Sequence, residues 1–127
     1  MSSPLSSTFT TELMIAPRTT AGMDDGIMIV QTTLPGQMNE ADLGQWCQVF
    51  IDLNLAACIN ITKVRSIFSW EKQVASEYEW KIQIKTTIKA KDSLVSKIKS
   101  DHPYDLPEIT WWHAEAVAGY LEWVNKI

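Results

Sequence analysis

From 78 to 85 the chain reads Tyr-Glu-Trp-Lys-Ile-Gln-Ile-Lys, a strict alternation of apolar and polar side chains. Successive side chains on a strand point to opposite faces. This run therefore makes a strand with Tyr78, Trp80, Ile82 and Ile84 on one face and Glu79, Lys81, Gln83 and Lys85 on the other. A strand of that kind belongs to an antiparallel sheet covered on one side only. The flanking segments must supply its sheet neighbours and a cover for its apolar face.

Upstream, 56–61 reads as a strand that continues after a turn at 62–65 into 66–70. The short connection 71–76 then joins it to the alternating run as an antiparallel hairpin. Earlier, 27–33 is a β-branched run stopped by Leu34-Pro35-Gly36, a strand followed by a turn. Asn39 is placed to cap a helix in which Leu43, Trp46, Cys47, Phe50 and Leu53 recur at three- and four-residue steps. Trp46 and Phe50 are expected in the core rather than against a cofactor. A second helix spans 91–100, with Leu94, Val95 and Ile98 inward and Lys91, Lys97 and Lys99 outward. Residues 109–112 form a fourth strand, and 119–127 a short C-terminal helix or turn carrying Tyr120, Leu121 and Trp123.

The resulting order is β-α-β-β-α-β plus a short C-terminal helix. It predicts an α+β domain of the ferredoxin-like, split βαβ class, with both helices on one face of the sheet. The other face stays uncovered, either wet or docked on a copy of itself. Six tryptophans exceed what one small core needs and favour self-association, since aromatic bulk is enriched at interfaces. Residues 1–25, rich in Ser and Thr with Pro4, Pro17 and Gly22, read as a flexible N-terminal extension with a short helical turn at 12–16. The domain proper is 26–127.

At 127 residues the chain is one domain. A net charge of −4 argues against nucleic acid, which would call for a basic face. No apolar stretch is long enough to span a membrane. The N-terminus shows no basic region followed by a continuous apolar core, so no secretory leader is expected and the cytoplasm is the default. Cys47 and Cys58, each inside an apolar run, read as free thiols of a reducing compartment rather than as a disulfide.

Polar chemistry concentrates at 99–109, Lys-Ser-Asp-His-Pro-Tyr-Asp-Leu-Pro-Glu-Ile. Pro103 and Pro107 bias His102 and Leu106 to extended geometry, so His102 ends the preceding helix on a stiffened connection. No Ser or Cys neighbours either His in sequence, and no phosphate loop, HExxH or dinucleotide fingerprint is present, so no enzyme is expected. Metal is the better candidate. Imidazole suits copper and zinc, and Asp101 beside His102 adds a carboxylate. One chain supplies only a partial site in this way. The competing reading is that His102 bonds the backbone and closes the helix end.

Five motifs in order carry a resemblance: Leu55-Ala56-Ala57-Cys58-Ile59-Asn60; Ser66-Ile67-Phe68-Ser69-Trp70; Glu77-Tyr78-Glu79 with Ile84-Lys85-Thr86; His102-Pro103-Tyr104 with Pro107-Glu108; and Tyr120-Leu121-Glu122-Trp123. Together they resemble the CutA divalent-cation tolerance family from residue 27 onward. The resemblance implies a ferredoxin-like homotrimer akin to PII proteins, cytoplasmic residence and tolerance to copper and other divalent cations. It implies a divalent metal, copper or zinc, bound weakly at His102 and Asp101, with no organic cofactor. A further, unidentified protein partner is the alternative to a purely self-associating role. The family's first-strand Cys has no counterpart, since Thr32 or Thr33 occupies that region. Trp70, Glu79, Lys85, Tyr104 and Glu108 match family positions and are expected at a subunit contact or ligand cleft, as a Lys–Glu–Tyr network. Lys72 replaces the usual hairpin Gly, so the turn is expected to avoid a positive φ.

Overall fold

The computed structural model describes residues 26–127. The expected extension 1–25, with its helical turn at 12–16, lies outside the described residues. Four strands, β1 Ile27–Pro35, β2 Cys58–Trp70, β3 Gln73–Thr86 and β4 Ile109–Ala114, form one sheet in the order β2-β3-β1-β4. Every pairing is antiparallel, with Val30 opposite Ile84 and Trp111, and Asn60 opposite Gln83. This is the split βαβ arrangement the sequence predicted. The described residues form three helices, α1 Glu40–Asp52, α2 Lys91–Asp101 and α3 Ala118–Val124.

Leu43, Cys47 and Phe50 of α1 and Leu94 and Ile98 of α2 meet Val30, Leu34, Ile82 and Ile84 of the sheet in one core cluster. Each such fully buried side chain contributes on the order of 1.5–3 kcal/mol. The opposite face carries Asn60, Thr62, Lys81, Gln83, Lys85 and Gln31, as the register requires. At one end of that face, Tyr120 of α3 hydrogen-bonds Cys58.

Local chemistry explains the element ends. The Asp42 N–H donates to Asn39 Oδ1 at 2.8 Å, so Asn39 caps α1 as expected. At the far end the Leu55 N–H donates to the Phe50 carbonyl and the Asn54 N–H to the Ile51 carbonyl. That Schellman closure needs a left-handed residue, and Asn54 supplies it at φ 59.

Three expectations need correction. β2 does not break at 62–65: Thr62, Lys63, Val64 and Arg65 pair in unbroken register with Lys81, Trp80, Glu79 and Tyr78. Lys63 is accommodated because its ammonium sits 4.4 Å from the Trp80 ring centroid and donates to the Gly36 carbonyl at 3.0 Å. The hairpin connection is only Glu71 and Lys72, and both take positive φ, 51 and 65. A two-residue loop between twisted strands demands that geometry whichever residues occupy it. Finally, β4 runs to Ala114 and α3 starts at Ala118, both offset from the sequence boundaries.

The hairpin outruns its support. β1 pairs with β3 only from Glu79 to Thr86, so β2 and β3 beyond that point form a two-stranded arm. Tyr78, on the apolar face of the alternation, is therefore 64% exposed, whereas Ile82 and Ile84 are fully buried.

Candidate functional site

β4 meets β1 only from Ile27 to Thr32. Among the described residues no strand lies beside that β1 edge beyond Thr32, and the 102–108 connection comes to lie there. His102 ends α2 in extended geometry, φ −76 and ψ 136, as a residue before Pro should. Its ring is the hub of the site. Nδ1 accepts the Tyr104 N–H at 3.1 Å, which assigns the neutral ring's proton to Nε2, and Nε2 lies 2.9 Å from Thr32 Oγ1. Burial lowers the His102 pKa, opposed by a hydrogen bond with the Thr33 backbone and by the Glu79 charge.

Around this hub, the Trp46 indole N–H donates to the Asp101 carbonyl at 3.2 Å, and its ring stands edge-on to the imidazole with centroids 6.0 Å apart. The Tyr104 hydroxyl donates to Glu79 Oε2 at 2.8 Å. Burial first, then that hydrogen bond and the charges of Glu79 and Glu77, hold the phenol well above its ordinary pKa.

Of the expected network, the fold joins Tyr104 to Glu79 and keeps the rest apart. Lys85 donates to Asn60 Oδ1 at 2.6 Å. Glu108 takes part in a different chain. The Gln83 amide donates to Gln31 Oε1 at 2.8 Å, and the Gln31 amide and the Thr110 hydroxyl each donate to Glu108 Oε2 at 2.9 Å. Trp70 stands at the arm tip, 55% exposed, beside the turn. Asp101 turns its carboxylate to Lys97, 3.1 Å away across one helical turn.

Sequence reasoning did not single out Trp46 as a contact of this site and left Thr32 and Thr33 undistinguished. Alternation could have chosen between the two threonines. Thr32 shares the core-facing parity of Val30 and Leu34 and is fully buried, so its hydroxyl is the one that must find a partner inside.

Among the described residues, no three His, Cys, Asp or Glu side chains gather into a group that could hold a metal ion. His102 and Asp101 are an imidazole and a carboxylate, donor types that divalent cations take. Both ring nitrogens are already engaged, however, and the carboxylate is ion-paired. A cation there would have to displace those bonds and find its remaining ligands elsewhere.

Over residues 28–127 the chain matches the model of the CutA1 divalent ion tolerance protein family. It is 35% identical over 81 residues to the divalent-cation tolerance protein CutA of Thermus thermophilus, covering 62% of this chain and 79% of that one. CutA from Synechococcus elongatus superposes with a TM-score of 0.72 at 30% identity, over 80% of this chain and 88% of its own. The PII-like protein CutA from Nostoc superposes with a TM-score of 0.68 at 28% identity, over 76% and 92%.

Proposed function

The chain belongs to the CutA1 divalent ion tolerance family, and on that footing we propose that it serves divalent-cation tolerance as a non-catalytic homotrimer. It binds copper or zinc weakly through His102 and Asp101, and acts in the cytoplasm. The family is known for ion tolerance rather than for a reaction, which supports a binding role.

The observation that carries the assembly is the unsupported arm. Ile67 is 65% exposed, Val74 82% and Tyr78 64%, on two strands that no other described strand joins. An isolated hairpin is marginal in water, and exposed apolar area of this kind marks a docking surface. Copies of the chain are the partner available wherever the protein is. The weakness of cation binding follows from the competing bonds at His102 and Asp101.

Calorimetric titration of the metal-free protein with Cu²⁺ and Zn²⁺ tests the cation reading. Heat in the native protein that His102→Ala abolishes is expected. Equal heats in both proteins remove the site. A second reading, a trimeric sensor akin to PII proteins that presents its loops to a protein or metabolite, is favoured by Leu106, which is 77% exposed on the 102–108 connection. Retention of a cellular partner by the full chain but not by one carrying Leu106→Asp would select it.

A further inference from the structure

Along α2 lies an open cleft of about 510 Å³, lined by Leu55, Asp92, Ser93, Ser96, Lys97 and Ser100. Ser93, Ser96 and Ser100 recur at three- and four-residue steps, so they share one face of the helix, where their small side chains leave room for an occupant. They are exposed, whereas Leu94 and Ile98 turn to the core. Leu55 gives the cleft an apolar wall, and Leu53, two residues earlier, is 51% exposed. The Lys97 ammonium touches Asp101 at 3.1 Å and keeps donors for a second carboxylate.

Residues 1–25 join the domain beside this cleft. The Thr86 hydroxyl donates to the Leu55 carbonyl at 2.7 Å, and Thr86 is the register partner of Met28, two residues after Gly26. One strand spacing is roughly 5 Å, which sets Leu55 about 10 Å from Met28. The nine residues 17–25 span at most about 30 Å, and α2 is about 16 Å long, so residues 5–16 have the reach to cover the whole cleft. That segment holds Leu5, Phe9, Leu13, Met14 and Ile15, and its one charged side chain is Glu12. Charge favours the match as well: 1–25 carries three acidic side chains and one basic, and 89–101 four basic and two acidic.

We infer that residues 5–16 of the same chain occupy the α2 cleft, with Leu13 against Leu55 and Glu12 on Lys97. Apolar side chains leaving water there are stabilised in proportion to the area covered, and the stem of Lys97 adds to that area. A tethered segment needs little affinity of its own, because a short linker holds it at an effective concentration on the order of mM. A free peptide from elsewhere lacks that advantage and has to displace the segment first. The inference does not depend on a cation at His102.

The full chain is compared with its variants Ser96→Glu and Leu13→Asp. Ser96→Glu fills the cleft and sets a carboxylate against Glu12, using a good helix former at an exposed position. Leu13→Asp removes the apolar anchor from the segment and leaves residues 26–127 unaltered, so it carries the comparison should the first variant fail to fold. Zero-length carbodiimide cross-linking, read by mass spectrometry on mixed isotope-labelled and unlabelled chains, should join Glu12 to Lys97 within one chain. Both variants should lose that link. Chymotryptic cleavage after Phe9 samples the undocked fraction and should rise about tenfold in both. A link between labelled and unlabelled chains assigns the cleft to a neighbouring copy's segment and overturns the inference. No link from Glu12 to α2, with Phe9 cleaved equally in all three proteins, leaves the cleft to another occupant and overturns it too.

Discussion

Cys47 shows how burial alone sets the chemistry of one residue. It lies on the inner face of α1, 5% exposed, and desolvation pushes its thiol up to about 11. The unfolded chain loses that proton near pH 8.5, so above this pH the unfolded state binds fewer protons than the folded one. The stabilising contribution is complete below pH 8.5 and is lost as pH rises towards 11. Native protein should therefore lose more stability over that range than Cys47→Ala, by up to about 3 kcal/mol, in denaturant titrations at stepped pH. A matching slope in both proteins would mean the thiol is not desolvated. The sequence singles out His102, Asp101, Tyr104 and Glu79 as candidates, and the fold joins Tyr104 to Glu79. It left Thr32 unresolved, because choosing between adjacent threonines requires the strand's parity relative to the core. Within one chain, strand register sends Lys85 to Asn60 and Glu108 to Gln31.

Elements were legible wherever periodicity was strong. The alternation at 78–85 and the three-and-four spacing of α1 both appear in place, with Ile82, Ile84 and Phe50 fully buried. The hairpin was misread at two points for one reason. Lys63 and Arg65 look like turn residues in isolation, and Lys72 looks unfit for left-handed backbone, but strand pairing overrides both preferences. Ladder bonds keep β2 continuous, and a two-residue connection forces Glu71 and Lys72 to φ 51 and 65. Left-handed backbone at a residue with a Cβ costs roughly 1–2 kcal/mol. The double change Glu71→Asn, Lys72→Gly should relieve it and raise the thermal midpoint by several degrees, with far-ultraviolet circular dichroism unchanged. An unaltered midpoint would mean that the turn carries no such strain. Gly26, at φ 124, is different: a Cβ there would also strike the His113 ring, so this position requires glycine.

For the molecule as a whole, one sheet face is packed by α1 and α2 and the other carries a polar lattice from Asn60 across to Thr110. An arm with apolar side chains on both of its faces projects from the sheet. Phe68 and Trp70 are on one side of it, Ile67 and Val74 on the other. Ile67→Asp, at the middle of that arm, should dissociate the assembly while leaving the core cluster intact, and size-exclusion elution would show the shift. On the proposed reading, copies of the chain complete this fold. Light scattering on the eluting native protein tests that directly. The prediction is a single species at three times the 14.4 kDa chain mass, unchanged on dilution. A stable species at the mass of one chain would contradict it.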